Sequence, residues 1–124
     1  MITNILLVGF GGALGSIARF LSVYGVARVV PEGFPLGTLA VNVTGCFVMG
    51  IVFGLSHRFE WLSTEWRFFL ATGFCGGFTT FSAFAYESLI LLQHRNYWSF
   101  AANAVLSFAL CLGAVLLGLV ITRG

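Results

Sequence analysis

Apolar residues run along this chain in four long stretches, roughly Ile5 to Val26, Gly37 to Leu55, Phe68 to Leu92 and Tyr97 to Ile121. About 20 apolar residues in a helix span the hydrocarbon core of a bilayer, so each stretch predicts a membrane-crossing helix. The linkers between them are short. The first carries Pro31, Gly33 and Pro35, the second His57, Arg58, Glu60 and Glu65, and the third little beyond His94, Arg95 and Asn96. Trp61, Trp66, Tyr97 and Trp98 stand at the ends of the stretches, where amphipathic rings favour the headgroup level. No soluble domain is left over, and residues 1–124 read as a single all-α membrane domain of four transmembrane helices.

Composition supports the bilayer as solvent. The hydrophobic set makes up 59% of the residues and charged residues only 8%, whereas a soluble domain carries about a quarter charged. All basic residues are arginines (Arg19, Arg28, Arg58, Arg67, Arg95, Arg123) and all acids are glutamates (Glu32, Glu60, Glu65, Glu87). A net charge of +2 scattered in this way forms no basic stripe, which argues against a nucleic-acid partner. The first span has no positive stretch before it, so a cleaved signal peptide is disfavoured. Cys46, Cys75 and Cys111 sit one each in separate spans without zinc-site or redox spacing and read as small buried residues.

Charge also bears on orientation. With four spans, one face collects Arg58, Arg67 and Arg123 and the other Arg19, Arg28 and Arg95. Excess Lys and Arg normally mark the cytoplasmic side, and here the two faces are balanced. Either the chain inserts both ways up, so that opposite copies pair about a twofold axis in the membrane plane, or something other than charge fixes one orientation. Gly11 and Gly15 in the first span, and Gly50 and Gly54 in the second, are small-xxx-small pairs that bring helix backbones together.

Candidate chemistry concentrates in the third span, where residues 73–84 read Gly-Phe-Cys-Gly-Gly-Phe-Thr-Thr-Phe-Ser-Ala-Phe. Gly76-Gly77 followed by β-branched Thr79-Thr80 is a poor continuous helix, so the span either breaks here or uses its glycines for a close crossing. A break at membrane depth would have to bury its freed carbonyls in protein or line a cavity with them. Phe81 and Phe84 share a helical face, either as packing residues or with positive ring edges turned to an anion. Asn42, with Thr38 and Gly45 near it on the same face, must find partners in hydrocarbon. It either bonds to a neighbouring helix or offers N–H groups to a passing anion. Arg19 and Glu87 are intramembrane charges that are either functional or snorkel to the interface.

Three ordered motifs, Gly11 through Arg19, Gly37-Thr-Leu-Ala-Val-Asn42 with Gly45, and Gly73 through Phe84, resemble the signatures of the Fluc/CrcB fluoride channels. The resemblance touches three spans and agrees with length and span count throughout. It implies an antiparallel, dual-topology homodimer with two fluoride pores, each built from both subunits, and a third helix broken mid-membrane. It further implies that Asn42, Phe81 and Phe84 line the pores, and that a structural sodium ion on the twofold axis is held by backbone carbonyls at Gly76 and Thr79. The family more often reads Phe-Ser-Thr-Phe-Ser, with a glutamate two residues further on. Here the stretch is Phe81-Ser82-Ala83-Phe84-Ala85, with Glu87 in place. Two hydroxyls are missing, which leaves the polar track open beyond Ser82, and Ser107 in the fourth span is a candidate to supply one.

The smallest, most strongly hydrated halide needs donors to replace its water. Candidates are Asn42, the hydroxyls of Thr80 and Ser82, and the ring edges of Phe81 and Phe84, along a path too narrow for chloride. No ATP-binding motif is present, so the expected transport is passive, and an inside-negative potential drives an anion outward with about 2.3 kcal/mol per charge per 100 mV. A small multidrug-type transporter, also four spans paired antiparallel, would need a first-span carboxylate that this chain lacks. A non-transporting assembly protein would pass no fluoride. An enzyme is not expected, since no nucleophile and base sit together.

Overall fold

The computed structural model describes residues 1–30 and 34–123, so Pro31, Glu32 and Gly33 of the first linker lie outside the described residues. Helix α1 runs over Ile2–Val29 and α2 over Leu36–Arg58. A short α3, Thr64–Arg67, leads into a π-helical stretch over Phe68–Cys75. Then follow α4, Gly76–Phe78, α5, Phe81–Gln93, and α6, Tyr97–Arg123. Among the described residues, four helical segments are long and apolar enough to cross a membrane: Ile2–Val29, Leu36–Arg58, Thr64–Gln93 and Tyr97–Thr122. Each exceeds the apolar stretch that predicts it. Apolar runs mark the hydrocarbon slab, whereas backbone bonding continues into the interface; the third span begins with a turn that the Ser63 hydroxyl caps by accepting from the Trp66 N–H at 3.5 Å.

Two close pairings hold the spans together. A Cβ on Gly50 would meet the Val115 carbonyl and the Leu119 amide, and one on Gly54 would meet Leu119 and Thr122. The contacts advance in the same direction along both helices, so α2 and α6 pack parallel with their backbones nearly touching. The first span lies likewise along the first half of the third. A Cβ on Gly15 would overlap the Phe74 carbonyl and come within 2.9 Å of the Phe78 amide. Glycine is used because lipid is as apolar as leucine, so association depends on close backbone packing rather than on hiding apolar surface from water. Large side chains accordingly remain exposed on the single chain, among them Phe20, Phe81 and Phe108.

Gly15→Val therefore forces a side chain into the facing backbone, and overpacking of this kind costs about 1–3 kcal/mol. The variant should lose monodisperse protein and unfold at lower temperature in detergent. Gly12→Ala, whose Cβ would meet only the Gly73 carbonyl at 3.8 Å, should behave like the parent. Equal stability of the two variants would count against the crossing.

In the third span the helical backbone stops at Phe78 and resumes at Phe81. Gly76 is itself helical, at φ −62° and ψ −39°, while Thr79 (−90°, 156°) and Thr80 (−153°, 122°) are extended. The glycines thus precede the interruption. Gly77 serves the close crossing, since a Cβ there would strike the Gly12 backbone. The extended conformation falls on the two β-branched residues, which favour it. Thr80 then starts α5, its hydroxyl accepting from the Ala83 N–H at 3.2 Å.

Candidate functional site

The interruption exposes backbone groups, and most of those partnered are bound by side chains from other spans. Asn42 on α2 makes a two-point contact with Thr80. Its Oδ1 accepts from the Thr80 N–H at 2.8 Å, and its Nδ2 donates to the Thr80 carbonyl at 3.1 Å. The amide therefore replaces a piece of helix ladder, which an asparagine can do because it carries donor and acceptor side by side. One Nδ2 proton remains for another acceptor. Arg19 on α1 reaches the same region, its Nε donating to the Gly77 carbonyl at 3.1 Å. Thr79 turns its hydroxyl back to the Cys75 carbonyl at 2.8 Å, and its N–H also donates to that carbonyl, at 2.9 Å.

Three carbonyls are left over: that of Phe78, to which no Ser82 N–H donates across the interruption, and those of Gly76 and Thr79. In a continuous helix Gly76 would accept from the Thr80 N–H, but Asn42 takes that donor; Thr79 would accept from the Ala83 N–H, but the Thr80 hydroxyl takes that one. Among the described residues no backbone N–H donates to any of the three. Such oxygens in a dry interior call for a cation, water or a further donor. Cation chemistry from acidic or imidazole side chains is not on offer here: among the described residues no three His, Cys, Asp or Glu cluster to hold a metal.

Beyond the interruption, the Thr80 and Ser82 hydroxyls stand 3.0 Å apart at the start of α5. The Phe81 and Phe84 rings are neighbours, with centroids 5.4 Å apart and planes tilted by 40°; Phe81 is 78% exposed on the single chain, so its ring is open to lipid or to another chain. Glu87, two turns along α5 from Thr80, accepts a hydrogen bond from the Thr38 hydroxyl of α2. Arg19, Thr38, Thr80 and Glu87 line one cavity of about 310 Å³, with Val23 and Ala83 among its walls. Both intramembrane charges thus have partners inside the protein rather than simply reaching for the interface. Thr38 carries a role that sequence reasoning did not give it.

Ser107 belongs to a separate polar group. Its hydroxyl donates to Asn103 Oδ1 at 3.3 Å, and Asn103 Nδ2 donates to the Ser88 hydroxyl at 3.2 Å. Asn103, almost wholly buried, and Ser88 are polar residues that the motif reading missed. The available signal was an amide inside an apolar span, one helical turn from Ser107.

Asn42→Ala would leave the Thr80 amide and carbonyl unpaired at about 1–3 kcal/mol each. It should lower the unfolding temperature. Asn42→Asp keeps an acceptor for the Thr80 N–H but sets a carboxylate oxygen against the Thr80 carbonyl, so it should also unfold at a lower temperature than the parent. Parent-level stability of both variants would sink the two-point contact between Asn42 and Thr80.

Comparison with proteins of known description places the chain in a family. The model of the CrcB-like proteins, described as camphor resistance (CrcB), matches residues 6–119. A protein of Campylobacter jejuni named fluoride-specific ion channel FluC is 46% identical over 123 residues, covering 99% of this chain and 100% of its own. The Leptospira interrogans protein of the same name is 45% identical over 104 residues, 84% of this chain and 82% of its own. A third, from Azobacteroides pseudotrichonymphae, is 43% identical over 123 residues, with 99% and 98% covered. With the matched region running through all four membrane-crossing helices, this multi-pass membrane protein belongs to the CrcB-like family.

Proposed function

We propose that this chain is a subunit of a passive, fluoride-selective channel that lets the anion leave the cytoplasm and so lowers its toxicity. The observation that carries the reading is full-length identity of 46% to a protein named as a fluoride-specific ion channel. The groups at the helix interruption support it, because hydrogen-bond donors and the neighbouring Phe81 and Phe84 rings gather at the start of α5. Asn42, through its remaining N–H, the hydroxyls of Thr80 and Ser82, and the edges of Phe81 and Phe84 are the groups we assign to replacing fluoride's hydration shell. Ser107 would extend the path on α6. Arg19 and Glu87, in the cavity with Thr38, would set the charge at the entrance. Narrowness then excludes the larger chloride, which needs less compensation but more room.

The channel is proposed to be an antiparallel homodimer with the third helix broken at membrane depth. The arginine balance and the open Phe81 ring support this arrangement. The Gly76 and Thr79 carbonyls, without backbone donors, fit a structural sodium ion shared between two copies. When bound, such an ion supplies positive charge that offsets the carbonyl oxygens and favours anions nearby. Asn42 and Arg19 meanwhile hold the surrounding backbone in place.

Fluoride efflux from liposomes containing the purified protein tests the function. A selective, ATP-independent efflux is expected, and no flux above empty liposomes would return the chain to the assembly-protein reading. For topology, a tag on the C-terminus should be found on both sides of the membrane in the same cells. Two lysines added between α2 and α3 should bias insertion and lower activity until an oppositely biased copy restores it. A single orientation for the unaltered chain would refute dual insertion.

A further inference from the structure

The two tightly apposed helices, α2 and α6, bring together cysteines that play no part in the proposed path. Gly50 on α2 meets Val115 on α6, and Gly118 in turn meets Phe47 and Ile51, so the two parallel backbones are in contact at this level. One helical turn before Gly50 is Cys46, and one turn before Val115 is Cys111. The same register that joins Gly50 to Val115 therefore places these two thiols side by side. Cys46 is the titratable neighbour of Cys111 across this contact. Both are free and partly exposed, whereas Cys75, in the third span, is fully buried.

We propose that Cys46 and Cys111 form a two-thiol site for a soft, linearly coordinated cation of the Cu(I), Ag(I) or Hg(II) class. Thiolate sulfur selects soft ions over hard ones such as sodium or magnesium. A pair of sulfurs without a third ligand matches linear coordination, and among the described residues no cluster of three His, Cys, Asp or Glu offers a higher one. Binding Hg(II) converts two S–H groups into two Hg–S bonds and releases two protons, with no change of oxidation state. Neutral mercuric chloride can partition into the apolar surroundings, exchange its two chlorides for the two sulfurs, and release them as hydrochloric acid. The resulting bridge ties the second span to the fourth.

The test uses the purified full chain, reduced and freed of reductant, in detergent. It is titrated with mercuric chloride and washed with excess monothiol, after which retained mercury is measured by intact mass and by sulfur-to-mercury charge-transfer absorbance. A single thiol gives an adduct that the monothiol strips off, whereas a bridged pair resists. Cys75→Ser should retain one mercury per chain. Cys46→Ser and Cys111→Ser should each lose it, with Cys46→Ala and Cys111→Ala as alternatives should a serine variant fold poorly. Retention by chains lacking Cys46 or Cys111, or loss from the parent, would overturn the site. Because the readout is bound mercury, it stands apart from fluoride transport, and a failure of either conclusion leaves the other to be judged on its own measurement.

Discussion

Phe81→Ile and Phe84→Ile should each lower fluoride efflux by about tenfold or more while the protein still purifies as the parent does. Isoleucine keeps bulk and apolarity but has no ring, so it removes the positive edge that a phenylalanine turns toward an anion. A tenfold loss corresponds to about 1.4 kcal/mol. The rings lie 5.4 Å apart on successive turns, so one ion passing along the face of α5 would meet both, and the double variant should fall further than either single one. Stability should change little at Phe81, which is largely exposed on the single chain. Normal efflux from both single variants would remove the phenylalanines from the path, and loss of folding in either would make them packing residues instead.

Replacing sodium by a bulky organic cation on both sides of reconstituted channels should abolish or strongly reduce fluoride flux, and restoring sodium should bring it back. The expectation rests on the two carbonyls that lose their helix donors to Asn42 and to the Thr80 hydroxyl. A carbonyl left unpaired in a membrane interior costs several kcal/mol, so two from each of two chains would leave a large deficit unless something positive meets them. No ligand in this set titrates, and the sodium requirement should therefore be the same across neutral and mildly acidic pH. Thr79→Ser retains both the carbonyl and the hydroxyl that bonds to Cys75, and should be nearly silent. Gly76→Pro keeps a carbonyl but removes the N–H that bonds to the Ala71 and Gly73 carbonyls and so loosens the backbone that aims it, and should be severe. Undiminished flux without sodium, together with an empty twofold axis in an experimental structure, would discard the ion while leaving the pore assignment intact.

Several elements of this molecule could be read before any coordinates. Span number followed from run length alone, because transfer into hydrocarbon adds up residue by residue along each stretch. The Gly11–Gly15 and Gly50–Gly54 pairs pointed to close backbones, and in the fold they mark contacts of the first span with the third and of the second with the fourth. Asn42 and Glu87 were identifiable as groups needing partners, since polar atoms in an apolar run are costly wherever they end up.

The partners themselves were not readable. Asn42 holds the main chain of Thr80, 38 residues away, and Glu87 accepts from Thr38, 49 residues away. Asn103 and Ser88 satisfy each other across two spans. Nothing in the periodicity of single helices specifies such meetings, which depend on how far one helix slides and turns against another. The glycine pair shows the same division. Its sequence fitted a break or a crossing equally well, and the fold puts Gly77 at the crossing and the extended backbone on Thr79 and Thr80.

The amino-acid sequence by itself thus determined that the chain lives in a bilayer, how many times it crosses, and which few polar residues had to be accommodated there. Those properties depend on local solvation. Only the tertiary structure decided which oxygens are satisfied by side chains, which carbonyls remain open, and which thiols share a helix interface. These outcomes depend on helix register, which is set jointly by glycine contacts spread over all four spans and by the long-range hydrogen bonds those contacts permit.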